Sequence, residues 1–112
     1  MTTVCITGST DGIGLVAART LLDRGHRVLV HARSEARGRP VVEQLTGDVD
    51  LVVADLASLA QVRALGARLH EEPLHVLVHN AGVWVRGDTP PLTADGFETT
   101  FGVNVLAPHL LT

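Results

Sequence analysis

Two hydrophobic rhythms alternate along the chain. Short apolar runs rich in β-branched residues recur at Val4-Cys5-Ile6, Val28-Leu29-Val30, Leu51-Val52-Val53 and Val76-Leu77-Val78. Between them apolar residues return at helical spacing. The runs fit strands covered on both faces, and the stripes fit amphipathic helices. They predict strands over Thr3–Ile6, Arg27–Ala32, 50–54 and 74–79. A first helix starts near Ile13, carries Leu15, Ala18, Leu21 and Leu22, and stops at Gly25 as a C′ residue. A later one is capped by Ser58 and places Leu59, Val62, Leu65 and Leu69 on one stripe.

Two segments are less regular. In 34–46, Ser34 can cap a helix, but Gly38 and Pro40 interrupt the early turns. Proline has no N–H and clashes one turn back, so the regular helix is expected only from about Arg39. The last pattern, 93–112, reads as one helix with Phe97, Phe101, Val105 and Leu106 on one side and a kink at Pro108. Before it lies a Gly- and Pro-rich loop, 82–91, whose Trp84 either lines a cleft or plugs one. Strands alternating with helices mean βαβ units, so the fold class is α/β with a parallel sheet and right-handed crossovers. At 112 residues, with no repeat, linker or low-complexity tract, the chain is expected to form a single domain, 1–112.

Composition narrows the function classes. A hydrophobic fraction of 46% is enough for a core. A net charge of −3 and scattered basic residues argue against a nucleic-acid surface. The single cysteine, Cys5, lies in the first apolar run, which fits a reducing, cytoplasmic setting. No signal-peptide pattern and no apolar run of membrane-spanning length is visible. The six histidines, His26, His31, His70, His75, His79 and His109, show no ligand spacing, so no metal is expected. All nine basic residues are arginine, and the chain has no lysine and no tyrosine.

The candidate chemistry starts in the turn after the first strand, Thr7-Gly8-Ser9-Thr10-Asp11-Gly12-Ile13-Gly14. Amides and a helix N-terminus converging there favour an anion. Gly8 allows a tight turn, Gly12 lets a pyrophosphate approach the backbone, and Gly14 lets the helix lie close to the sheet. The spacing G-x-x-x-G-x-G is one residue longer in its first gap than the dinucleotide fingerprint. An ordinary Gly-rich βα turn is the alternative.

Four motifs in order carry a resemblance: Thr7-Gly8 with Gly12-Ile13-Gly14, Asp55-Leu56, Asn80-Ala81-Gly82, and Asn104. The chain resembles the N-terminal half of a short-chain dehydrogenase/reductase. His31-Ala32-Arg33-Ser34, Asp55-Leu56-Ala57-Ser58, Asp95-Gly96-Phe97-Glu98 and Gly102-Val103-Asn104 resemble the retinol-dehydrogenase-like branch in particular. His79 departs from the family, which usually has Asn there.

The resemblance implies a Rossmann-type, doubly wound parallel sheet in the order 3-2-1-4, truncated relative to the family. It implies hydride transfer between a nicotinamide and a carbonyl or alcohol. It places cofactor contacts at Gly8, Ser9, Thr10, Gly12, Ile13, Gly14, Arg33, Ser34, Asp55, Leu56, Asn80, Ala81 and Gly82. Asp55 would meet the adenine amino group, with Leu56 offering an amide. Asn80 to Gly82 would pass the adenosine ribose. Asn104 would distort its helix and hold a water of the proton relay. The family's NAD-type Asp falls at Ala32, and Arg33 follows, which points to NADP(H) over NAD(H). Asp11 stands where some NADP-dependent relatives carry a base, so a second cationic support is missing from the turn. Arg33 as a solvated surface residue, Asp55 as a helix-capping carboxylate and Asn104 as a surface residue remain the alternatives.

The family's proton transfer uses a Tyr, a Lys four residues later and a Ser, and this sequence has neither Tyr nor Lys. Three readings follow: part of an NADP(H)-dependent reductase or alcohol dehydrogenase, a dinucleotide-binding module without chemistry, or a degenerate remnant. The fourth strand would lie at the sheet margin. A homo-oligomer or a complementary C-terminal polypeptide is therefore expected as partner.

Overall fold

Four β-branched strands lie side by side in parallel. In the computed structural model, which describes residues 2–83 and 91–112, they are β1 (Thr3–Ile6), β2 (Arg27–Ala32), β3 (Val49–Val53) and β4 (Val76–Val78). Their order is β3-β2-β1-β4, the expected Rossmann-like arrangement. Val4 lies opposite Val28 on one side and Val76 on the other. Trp84 and most of the loop expected over 82–91 lie outside the described residues.

Side chains alternate across the sheet, so each face builds its own core. Val4, Ile6, Val28 and Val30 pack with Ala18 and Leu22 of α1 (Gly12–Asp23). Cys5, Leu29 and Val52 pack with Val62, Leu65 and Leu69 of α3 (Leu59–Leu69) and with Val103 and Ala107. Helices thus cover both faces. Burial pushes the Cys5 thiol up to about 12, so it behaves as a small apolar residue. α1 ends as expected. Gly25 has φ +84°, its N–H donates to Leu22 O at 3.0 Å, and the next N–H, of His26, donates to Leu21 O at 3.1 Å. These two bonds form a Schellman motif.

Two expectations are corrected. α2 (Glu35–Gln44) begins directly after its Ser34 cap rather than near Arg39. Gly38 is not a breaker here. A Cβ on it would lie 2.8 Å from Ala32 Cβ and collide with the Leu51 methyls, so glycine is what lets α2 rest on β2 and β3. Pro40 has no N–H for the Ala36 carbonyl, but both residues are exposed, so water can serve that carbonyl.

The segment 93–112 is not one helix. Leu92 bridges Glu98 in antiparallel fashion, Gly96 turns with φ +84°, and Thr93 N donates to Phe97 O at 2.6 Å. Helix begins only where Glu98 caps it, accepting from Phe101 N at 2.9 Å and Thr100 N at 3.1 Å. Those bonds, the Phe101 one first, hold the Glu98 carboxyl below its usual range. A short α4 (Thr99–Phe101) leads into a π-helical turn, Gly102–Leu106, and then α5 (Ala107–Leu111). Pro108 sits in the first turn of α5, so the irregularity lies before it. Phe97, Phe101 and Val105 face out, at 41%, 45% and 51% exposure, and Gly102, Val103 and Ala107 face the core.

At the N-terminal edge of the sheet Arg27 binds Asp48 at 2.7 Å and grips Glu72 with two bonds, at 2.9 and 3.0 Å. The Glu72 contact is the main reason the Arg27 guanidinium holds its proton more tightly and the Glu72 carboxyl titrates low. Arg68 extends the cluster to Asp50, Glu71 and Glu72.

Candidate functional site

In an open parallel sheet the loops beyond the carboxyl ends of the strands face one crevice. Here that crevice is a cleft of about 320 Å³. Its floor is the Gly-rich turn, held by its own Thr7 and Ser9, by His31 of β2 and by Asn80 just after β4. Thr7 N donates to Val78 O at 3.0 Å, and Thr7 Oγ1 accepts from Asn80 N and Ala81 N at 3.1 and 3.0 Å. Asn80 Nδ2 donates to the carbonyls of Thr7 and Gly8, both at 3.2 Å. These bonds fasten the end of β4 to the turn.

On the other side, Gly8 N donates to His31 Nδ1 at 2.9 Å, so Nε2 carries the proton and donates to Ala54 O at 2.8 Å. One neutral imidazole therefore joins the ends of β1, β2 and β3. Burial lowers its pKa, in the direction this arrangement needs. Ser9 completes the lattice. Its hydroxyl donates to Ile6 O at 2.7 Å and accepts from His31 N at 2.9 Å, and its N–H donates to His31 O at 3.2 Å.

The glycines leave room where an anion would have to come. Gly8 and Gly12 have φ +65° and +54°. A Cβ on Gly8 would lie 2.9 Å from Ala81 Cα, and one on Gly14 would lie 2.5 Å from Gly8 O and 2.6 Å from Asn80 Nδ2. Nothing lies within 4 Å of a Cβ on Gly12. The turn is closed behind and open in front, which fits a pyrophosphate.

Of the residues singled out in the sequence, Gly8, Thr10, Arg33, Asp55, Leu56, Ala81 and Gly82 line the cleft. Gly12, Ile13 and Gly14 form the N-terminus of α1. Three others have a different task. Ser9 is wholly buried with its hydroxyl and amide spent inside the turn. Ser34 accepts from Arg37 N at 3.3 Å as the cap of α2. The Asn80 amide is turned into the glycine turn. Each shapes the cleft without lining it.

Asp55 is not the cap of α3, which is Ser58. Its Oδ1 accepts from Ala57 N at 2.9 Å, an Asx turn, and its other oxygen has no bond to a described residue. Asn104 lies in the middle of the π-helical turn. Its amide exchanges two 2.8 Å bonds with the backbone of Val83 and so pins the loop after β4. Pro108 has no N–H to give the Asn104 carbonyl, a local reason for the helix to leave α geometry here.

Two residues escape the sequence reading. His31 had a signal, a polar side chain inside the apolar run two positions before Arg33. Arg37 also lines the cleft. Its signal was its place in the first turn after a Ser cap, four residues past Arg33.

A family model described as short chain dehydrogenase matches residues 2–112. An oxidoreductase of Emericella nidulans is 39% identical over 114 residues, covering 100% of this chain and 45% of the relative. Polyprenol dehydrogenase of Homo sapiens is 37% identical, over 96% of this chain and 34% of its own. Retinol dehydrogenase 12 of Mus musculus is 39% identical, over 97% of this chain and 36% of its own. The chain spans less than half the length of these curated relatives. Among solved structures, a protein from Mycobacterium paratuberculosis superposes with TM-score 0.90 at 35% identity, covering 100% of this chain and 40% of that one. A Sphingobium yanoikuyae short-chain dehydrogenase in complex with NADPH gives TM-score 0.82 at 31% identity, over 99% of this chain and 45% of that one.

Proposed function

The chain belongs to the short chain dehydrogenase family, and we propose that its 112 residues form one NADP(H)-binding domain, the cofactor half of an oxidoreductase acting on a carbonyl or alcohol. The observation that carries the cofactor preference is the end of β2. Ala32 is 2% exposed and has no acceptor for a ribose 2′-OH, while Arg33 beside it lines the cleft. A guanidinium can grip a phosphate with two parallel bonds.

The other residues divide the remaining work. The Gly8–Gly12 backbone cradles the pyrophosphate, Asp55 accepts from the adenine amino group, and Leu56 offers its amide. Ala81 and Gly82 let the chain pass the adenosine ribose without a clash. A nicotinamide dinucleotide held here supplies or accepts the hydride. Proton transfer needs a group of tuned pKa within hydrogen-bond reach. The pair that the family uses for this, a Tyr and a Lys, is not among these residues. A complementary C-terminal polypeptide would provide it, and the uncovered side of β4 is where it would join.

The test is a titration of the purified chain with NADPH and NADH, followed by an absorbance assay against a panel of carbonyls and alcohols. NADPH should bind one to two decades more tightly, about 1.5–3 kcal/mol for a charged bidentate contact. The Arg33→Gln variant should lose most of that margin, and no turnover should appear. Equal affinities would refute the cofactor assignment. Turnover that survives repurification would refute the mechanism.

A further inference from the structure

Two segments far apart in the chain line the cleft near Asp55, and a carboxylate outside the cleft ties them together. We propose that Asp95 is a positioning residue for base recognition, a clip that holds the loop carrying Asp55 in register with the segment carrying Thr99 and Val103. The proposal rests on the dinucleotide-binding reading above.

Asp55, Leu56 and Ala57 line the cleft from the loop after β3, and Thr99 and Val103 line it from the last segment. The N-terminus of α3 is bonded to both. Its own cap is long, with Ser58 Oγ accepting from Gln61 N at 3.4 Å, and its first turn carries no acidic residue. The carboxylate that a helix N-terminus favours comes from 36 positions away, where Asp95 Oδ2 accepts from Leu59 N at 2.8 Å. Gln61, in the same turn, reaches the other way. Its Oε1 accepts from Asp55 N at 2.8 Å. One helical turn therefore grips the Asp55 backbone on one side and Asp95 on the other.

Asp95 has a firm support. The turn that carries it closes without its side chain. Gly96 N donates to Thr93 O at 3.0 Å, and Phe97 N donates to Thr93 Oγ1 at 3.2 Å. Thr99 N and Thr99 Oγ1 both donate to Pro91 O, at 3.0 and 2.7 Å. A Cβ on Gly102 would lie 2.8 Å from Thr93 Cγ2, so the helical segment with Thr99 and Val103 rests directly on this turn. The Asp95 carboxylate is left to join that whole unit to α3.

Position matters here because base recognition is directional. Asp55 has one oxygen with no bond to a described residue, and Leu56 next to it offers an amide. Hydrogen bonds weaken steeply when misaligned, and a displacement of about 1 Å can undo much of what a placed group contributes. Asp95 touches no base, so its effect passes through α3 and Gln61.

The test compares 5′-AMP with 5′-IMP. Adenine presents an amino donor and a ring acceptor where hypoxanthine presents an oxygen and an N–H. A carboxylate and an amide held in register should therefore prefer 5′-AMP by about tenfold or more. The chain and its Asp95→Ala, Asp95→Asn and Ser58→Ala variants are titrated with both, and their urea unfolding is followed. Asp95→Ala should weaken 5′-AMP about three- to tenfold and leave 5′-IMP within about twofold, which compresses the preference. Asp95→Asn keeps an acceptor and should recover most of the loss. Ser58→Ala removes the helix's own cap and should lower stability with the preference intact. The unmutated chain gives an independent readout. Coupling is reciprocal, so saturating 5′-AMP should slow hydrogen exchange at the Leu59 and Phe97 amides, which do not line the cleft. A preference unchanged in Asp95→Ala, a preference lost equally in Ser58→Ala, or unchanged exchange at those amides would make Asp95 an ordinary cap and leave the adenine assignment standing. If the parent does not distinguish the two nucleotides, the adenine assignment falls and this proposal with it.

Discussion

Two stretches of this chain have the same three residues in the same order and opposite fates. Val28-Leu29-Val30 of β2 is wholly buried. Val76-Leu77-Val78 of β4 exposes Val76 at 43% and Val78 at 38%. The backbone roles are similar, since both strands pair in parallel with β1. The surroundings differ. β2 has β3 on its other side, and helices cover both its faces. β4 has no strand on its outer side among the described residues. Its register puts Val76 beside Val4 and Val78 beside Ile6, on the face where α1 and α2 cover β1, β2 and β3 but leave β4 open. Only Leu77, on the other face, packs against a core cluster. Burial is thus a property of the neighbours a strand finds, not of its own residues.

The sharpest way to break the comparison is to truncate both tripeptides. Leu29→Ala removes a fully buried side chain from the core between the sheet and α3 and should cost about 2–5 kcal/mol. Val76→Ala removes one that is already largely in water and should stay within about 0.5 kcal/mol. Equilibrium urea unfolding measures both. Equal losses would mean that β4 is covered in solution, as by a second copy.

This contrast also explains what the sequence could and could not reveal. The four strands were legible because a run such as Val28-Leu29-Val30 has few other uses, and the Gly25 stop and the Ser58 cap were legible because their chemistry is local. The start of α2 was not. Gly38 looks like a breaker until Ala32 and Leu51 are known to lie against it, and that contact joins separate elements. The last segment misled for a related reason. Phe97, Phe101 and Val105 recur at helical spacing, but the packing chose Gly102, Val103 and Ala107 for the core. At the site, Gly8 and Arg33 were visible by position. The tasks of Ser9 and Asn80 were not, because a hydroxyl or amide that builds a turn looks the same in sequence as one that binds a ligand, whereas Ser34 took the capping role that its place in the sequence already offered.

Two histidines accept the same kind of backbone bond, one with a buried ring and the other with an exposed one. His31 Nδ1 accepts from Gly8 N, and His75 Nδ1 accepts from Thr3 N, both at 2.9 Å. His31 is 3% exposed, and His75 lies in the solvent. Losing the buried acceptor strands an amide, so His31→Ala should cost about 1–3 kcal/mol and His75→Ala less than about 1. The folded state lowers the His31 pKa, so its neutral form is the one that folding favours. Stability from the neutral imidazole is complete above the unfolded value, about 6.5, and is lost as pH falls below it toward the folded pKa. His31→Asn keeps a short acceptor for Gly8 but cannot titrate. Its stability should fall less steeply than the parent's between pH 6.5 and 5. An unchanged slope would place the acid sensitivity elsewhere.

The smallest effect on stability is expected at the margin itself, where the consequence is association. β4 presents backbone N–H and C=O groups on its outer side next to two exposed valines, and the tripeptide carries no charge. A flat, neutral edge of this kind pairs with other chains, and a lysine on it is a common guard against such pairing. Val76→Lys should therefore change the unfolding free energy by no more than about 0.5 kcal/mol, because the long side chain can reach water from a position already 43% exposed. The same change at Val28 would bury a charge in the sheet and prevent folding. Sedimentation velocity over a concentration series reads the difference. The parent should gain mass with concentration, and Val76→Lys should remain a monomer over the same range. A parent that stays monomeric at high concentration would show that the outer side of β4 is already shielded. The place where we expect a complementary polypeptide to join would then have to be sought on the exposed Phe101 and Val105 instead.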